Sequence, residues 1–155
     1  MNLRLATPGD VETLWHWRND VSTRKELYGN RAMSFEGFIS ELTRWLNTPT
    51  LKTYMAVVDG IGPVGFVQVD KISSDTATII VAIAKNSRQL GYGKMTIKMA
   101  SDKTISDGTA KMLVAVVREQ NYKALLAFES AGYKEVGNPS KDIVEMGYGD
   151  FNATL

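Results

Sequence analysis

The sequence predicts a mixed α/β domain, with about six to seven strands in one sheet and about four helices on its faces. Three observations predict it. The apolar pattern changes from a helical to a strand period near residue 52 and then alternates between the two. Turn and cap residues sit at the changes, at Asp59-Gly60, Asp107-Gly108 and Gly132. A chain of 155 residues, 44% hydrophobic and 23% charged, is one domain by length (residues 1–155) and can bury a core.

In chain order, "LRLA" (3–6) alternates and reads as a short strand. Thr7 and Pro8 open a helix, a capping hydroxyl followed by proline in the first turn. Asp10 and Glu12 suit its positive end, and Val11, Leu14, Trp15 and Arg18 share one face. "DVSTRKELYGNRAM" (20–33) is polar and reads as a loop. "SFEGFISELTRWL" (34–46) is a second amphipathic helix, with Phe35, Phe38, Ile39, Leu42, Trp45 and Leu46 as its stripe. "KTYMAVVDG" and "GPVGFVQVDK" form a hairpin. "TATIIVAIAK" (76–85) is apolar enough for a strand buried on both faces. A helix from about Tyr92 to Ser106 stops at Asp107-Gly108. "AKMLVAVVR" (110–118) is another buried strand, and "NYKALLAFESAG" (121–132) is a last helix ended by Gly132. "YKEVG" and "DIVEMGY" are two closing strands.

A net charge of +1, from 18 basic and 17 acidic residues, argues against a general nucleic-acid binder. Without cysteine there are no disulfides, thiolate metal sites or cysteine nucleophiles. With His16 as the single histidine, no metal is expected. The start "MNLRLATPGD" has no signal-peptide pattern, and no apolar run approaches the ~18 residues of a membrane span. The expectation is a soluble cytoplasmic protein with no membrane partner.

The chemistry-bearing stretch is "AKNSRQLGYGKMTIKMA" (84–100). A helix N-terminus leaves about four N–H groups without partners, and the peptide dipoles add positive charge there. Glycine lets the backbone approach a ligand closely. A strand entering a Gly91-Tyr92-Gly93 turn and a helix is thus an anion cradle, with Arg88 and Lys94 as added charges. It matches neither the P-loop nor the dinucleotide fingerprint. Glycines also start helices for purely structural reasons, with about even odds on the loop alone.

Arg88-Gln-Leu-Gly91-Tyr-Gly93 resembles the Arg/Gln-x-x-Gly-x-Gly/Ala signature of the GNAT (Gcn5-related) N-acetyltransferase superfamily. "VREQNYKALLAFESAGYKEVG" (117–137) is similar to the family's second motif, in which an Asn opens a helix that ends in Gly-Phe or Gly-Tyr. The resemblance spans essentially the whole chain. It implies the GNAT fold, with a splay between the fourth and fifth strands, and acetyl-CoA as cosubstrate. Backbone amides from Gln89 through Leu90, Gly91, Tyr92, Gly93 and Lys94 would hold the pyrophosphate, with Arg88 beside them. Ile83 would pair with the pantetheine arm and supply the oxyanion donor nearby. Asn121 would bond the pantetheine or acetyl region, or cap its helix, and Lys123 would reach a CoA phosphate.

"LWHWRND" (14–20), "PVGFVQVD" and the late "NYKALLAFESAGY" are similar to GNATs that acetylate nucleotide-linked amino sugars of the pseudaminic and legionaminic type. That resemblance makes Trp17, Arg18 and Asn19 the acceptor-binding candidates and a small-molecule amine the partner; a homodimer stays open. Core packing is the default for Trp15 and Trp17. In many relatives a tyrosine seven residues after the Asn protonates the leaving sulfur; here Phe128 stands there. Thr78 stands where many relatives place a glutamate. The catalytic candidates left are His16, Glu119 and Tyr122, beside a water chain. Tyr133 is expected in the core. Alternatives are an acetyltransferase of protein N-termini, as for ribosomal proteins, and a non-catalytic acetyl-CoA binder.

Overall fold

The computed structural model describes residues 1–150. Seven strands form one sheet: β1 (Asn2–Leu5), β2 (Leu51–Val58), β3 (Gly62–Lys71), β4 (Thr76–Ile83), β5 (Met112–Arg118), β6 (Lys134–Ser140) and β7 (Ile143–Gly149). Their order is β1-β2-β3-β4-β5-β7-β6, antiparallel except for the β4–β5 pair. The helices are α1 (Val11–Asn19), α2 (Val21–Leu27), α3 (Phe35–Leu46), α4 (Tyr92–Ser106) and α5 (Tyr122–Ser130). Among the described residues there are therefore five α-helices rather than four, and the expected mixed sheet is present. The extra one is α2, inside the stretch expected to be a loop.

Period-two alternation divides β4 between two cores. Ala77 and Ile79 lie in a core with Ile97 and Ala100 of α4 and Phe128 and Ala131 of α5. Ala82 lies in the other, with Leu14 of α1 and Phe38, Leu42 and Trp45 of α3. Burying side chains such as Phe38, Phe66 and Trp45 contributes roughly 1.5–3 kcal/mol each. The α3 stripe is narrower than its sequence suggests. Phe38, Leu42 and Trp45, at i, i+4 and i+7, are buried, while Phe35 and Ile39 flank them and stay exposed. Phe35 meets Trp15 edge-on at 5.3 Å. β4 is correspondingly not buried along both faces; Thr76, Thr78, Ile80, Val81 and Ile83 are half-exposed.

Thr7 and Pro8 start a 3-10 turn that runs into α1. Asp10 pins that start to β1: its carboxylate accepts 2.8 Å bonds from both terminal nitrogens of Arg4 and a 2.9 Å bond from the Thr7 N–H. The Arg4 bonds hold the Asp10 carboxyl below its usual range; burial opposes them, and Thr7 adds to them. Asp10→Asn is expected to lower the unfolding free energy by about 1–2 kcal/mol at neutral pH. A depressed folded value means that the contribution is complete above the ordinary aspartate range and is lost as pH falls through the folded one. Denaturation curves of parent and variant should converge in acid.

Candidate active site

The site begins where β4 and β5 part. Their ladder consists of Thr76–Met112, Ala77–Leu113 and Thr78–Val114, and it stops there. Ile79 to Ile83 stay paired with β3, and Ala115 to Arg118 with β7, so a wedge opens between two strands. The Ala84 N–H donates to the Val64 carbonyl at 2.7 Å. By strand alternation, the backbone groups of Ile83 and Val81 point the other way, into the wedge. Thr78 stands at its root.

The turn after β4 leads to the α4 N-terminus. Gln89 (φ 64°) and Gly91 (φ 84°) are both left-handed, and Gly91 is the N-cap of α4. A non-glycine residue in that conformation costs roughly 1–2 kcal/mol, a strain found at ligand clamps. No side chain caps α4 among the described residues. Its first N–H groups therefore lack helical partners, beside exposed Gln89, Leu90, Gly91 and Lys94. Tyr92 and Gly93 are half-buried. A β-carbon at Gly93 would lie 3.7 Å from Ile83 Cγ1 and 3.9 Å from Ala127 Cβ, which places this glycine between the end of β4 and α5.

Arg88 stands where expected, but its guanidinium faces α2. Nε donates to the Ile83 carbonyl at 2.9 Å and one terminal nitrogen to Ser22 Oγ at 2.5 Å. The other donates to Asp20 Oδ2 and Thr23 Oγ1, each at 3.1 Å. Burial pushes the Asp20 carboxyl up, but bonds from Ser22, the Thr23 N–H and Arg88 outweigh it, so the carboxyl is held low. At the far end of α2, Glu26 lies 4.0 Å from Arg118 at the end of β5. The helix thus spans the mouth of the wedge from one strand to the other. Arg88 is a brace in this structure, which leaves the exposed main-chain amides and Lys94 at the α4 N-terminus.

The other expected site residues divide. Trp17 is half-buried, its ring parallel to that of Phe66 at 6.5 Å, and it lines a cleft of about 190 Å³ with His16, Asp20, Ile83, Lys85 and Arg88. Arg18 is buried, donates to the Arg31 carbonyl at 2.5 Å and lies 4.2 Å above the Tyr28 ring. Asn19 exchanges two bonds with the Met33 backbone, at 2.7 and 2.9 Å. Arg18 and Asn19 therefore hold the α2–α3 connection and do not line the cleft. Asn121 caps α5 by accepting from the Ala124 N–H at 3.2 Å, and Lys123 is exposed. Glu119, directly after β5, and Tyr122, the first residue of α5, are exposed and do not line that cleft. Tyr133 is in the core as expected, its hydroxyl 2.6 Å from Ser101 Oγ. Lys85 and Asp20 carry no motif in the sequence; the turn that brings them to the cleft is a matter of tertiary structure.

No group of three or more potential metal ligands occurs among the described residues. None of their helices is long and apolar enough to cross a membrane.

The profile of the acetyltransferase (GNAT) domain family matches residues 1–134. Spermidine N-acetyltransferase from Vibrio cholerae, solved with CoA and spermine, superposes with a TM-score of 0.86 at 18% identity, over 96% of this chain and 94% of that one. The aminoglycoside acetyltransferase AAC(6')-Ib, solved with coenzyme A and kanamycin, gives 0.82 at 17% identity, over 96% and 94%. At such identities these likenesses speak for the fold alone. No curated protein matches by sequence.

Proposed function

The chain belongs to the GNAT acetyltransferase domain family, and from that premise we propose that it transfers acetyl from acetyl-CoA to a primary amine of a small molecule. The observation that carries the reading is the uncapped α4 N-terminus behind a left-handed turn, set beside a wedge into which β4 turns the backbone groups of Val81 and Ile83. The two halves fit the two ends of the cosubstrate. Amides from Gln89 to Lys94 take the pyrophosphate, and the Val81 and Ile83 backbone takes the amide-rich arm that leads to the thioester. Exposed Lys123 takes a further phosphate. Asn121, whose Oδ1 caps α5, has its amide nitrogen as donor toward the arm.

In the reaction a neutral amine attacks the thioester carbonyl, and the oxyanion that forms needs a donor. The Ile83 N–H, aimed into the wedge, is that donor. His16 in the cleft, or Glu119 directly after β5, takes the ammonium proton directly or through water. Phe128 cannot protonate the sulfur; Tyr122 or water serves. A nucleotide-linked amino sugar is the leading acceptor. Trp17 supplies an aromatic surface for it in the cleft, and Arg18, being buried, does not supply the anion contact. The protein acts in the cytoplasm, as one GNAT domain over residues 1–155.

The test is CoA release from acetyl-CoA with a panel of nucleotide-linked amino sugars, polyamines, aminoglycosides and N-terminal peptides. Turnover with peptides alone would move the assignment to protein N-termini. Acetyl-CoA binding with no turnover on any amine would make the protein a sensor, and no binding would end the proposal.

A further inference from the structure

The acceptor cleft has a charge balance that selects among amines. Its walls hold one carboxylate, Asp20, two cationic side chains, Lys85 and Arg88, and the imidazole of His16. Asp20 and Arg88 are paired at 3.1 Å, and their remaining bonds go to Ser22, Thr23 and the Ile83 carbonyl. The pair is internally neutral and held in place. Lys85 is different. It sits in the one-turn 3-10 segment directly after β4, exposed, with no ion pair or side-chain hydrogen bond among the described residues. The cleft therefore presents one uncompensated positive charge, two residues beyond the Ile83 backbone that faces the wedge.

An amine bearing several positive charges meets net repulsion there. Asp20, whose charge Arg88 balances and whose Oδ2 already accepts from four donors, offers it little net attraction. An amine that carries an oxyanion of its own would place that anion on Lys85 and gain a charge-assisted hydrogen bond. It would also be drawn to the mouth by the same field. We propose that the acceptor is an anion-bearing amine, its phosphate or carboxylate docked on Lys85, so that Lys85 determines specificity. The inference rests on the acetyltransferase reading and deepens it: the leading acceptor there, a nucleotide-linked amino sugar, carries a diphosphate, and with Arg18 buried that reading assigns no residue to the anion.

The experiment uses the full chain saturated with acetyl-CoA, so that the α4 cradle is already filled. Binding by titration calorimetry and turnover by CoA release are measured for matched pairs: glucosamine 6-phosphate against glucosamine, and glycine against glycinamide, with spermidine as the polycation. The anion-bearing member of at least one pair should bind about tenfold more tightly than its anion-free twin, and the advantage should shrink with salt. Which pair shows it tells phosphate from carboxylate. Lys85→Gln should remove the preference by weakening binding of the anion-bearing member, with kcat nearly unchanged, and Lys85→Glu should favour the anion-free twin or spermidine. Both variants should keep the parental melting temperature, because Lys85 makes no contact to lose. Equal affinity within both pairs, no binding of either anion-bearing member, or a preference that survives Lys85→Glu overturns the inference while leaving the acetyltransferase reading intact. Failure of the protein to bind acetyl-CoA at the outset overturns that reading, and this inference with it.

Discussion

Gly93→Glu is expected to leave the protein folded and to abolish acetyl-CoA binding. The backbone at Gly93 is not left-handed, and a β-carbon there meets Ile83 and Ala127 at ordinary contact distances of 3.7 and 3.9 Å. A side chain can start at this position without strain. A carboxylate in the first turn of α4 is also on the favourable side of the helix dipole, so folding should be neutral or slightly improved. The same carboxylate would occupy the space before the free amides and repel a pyrophosphate. Juxtaposed like charges cost several kcal/mol, which at about 1.4 kcal/mol per decade means at least a hundredfold loss of affinity. Gly93→Ala is the matched control, expected to bind nearly as the parent does. Gly91 is the poorer test despite its equal prominence in the motif. At φ 84° any side chain strains the turn, and a loss of binding there would confound the loop's shape with its charge. Calorimetric titration with acetyl-CoA, beside thermal melts, decides the matter. A folded Gly93→Glu protein with parental affinity is incompatible with a diphosphate on the α4 N-terminus.

The contrast between α4 and α2 shows what the sequence could reveal. For α4, strand, glycines, amphipathic run and Asp107-Gly108 stop are all local signals, and the helix runs from Tyr92 to Ser106 as its residues indicate. The helix α2 has just two large apolar residues, Val21 and Leu27, and Val21 is exposed, so no stripe marks it. What starts it is local but quiet, Asp20 accepting from the Thr23 N–H at 3.3 Å. What holds it is remote, an arginine 65 to 68 positions away in the sequence. The same long bonds explain why Arg88 was legible as a site residue but not as a brace. They also explain why Lys85 went unnoticed, for its role depends on α1 and α2 folding over the end of β4. The insertion of β7 between β5 and β6 is likewise a long-range pairing that no local pattern encodes.

Phe128→Ala should produce the largest loss of stability, without altering how the reaction handles protons. The ring is 4% exposed and stands edge-on to Tyr133 with centroids 5.0 Å apart, in the core shared by α4, α5 and the sheet. Removing a buried phenylalanine costs about 3–5 kcal/mol through lost transfer energy and the cavity left behind. For a chain of this size that lowers the melting temperature on the order of 10 °C. The family resemblance places a proton-donating tyrosine at this position, and a tyrosine-to-alanine change there would remove the acid that assists the leaving thiolate. Phenylalanine has no proton to give. At a temperature where the variant stays folded, its kcat–pH curve should therefore keep the parental shape, lowered at most by a uniform factor. The sulfur's proton must then come from outside the core, from water or from a hydroxyl at the mouth such as Tyr122, which is 72% exposed at the start of α5. If truncating Phe128 deleted a limb of the pH profile, the ring would have to be ordering the true donor. The wedge could then no longer be treated as a site in which the core sets shape alone while the groups at the mouth supply the protons.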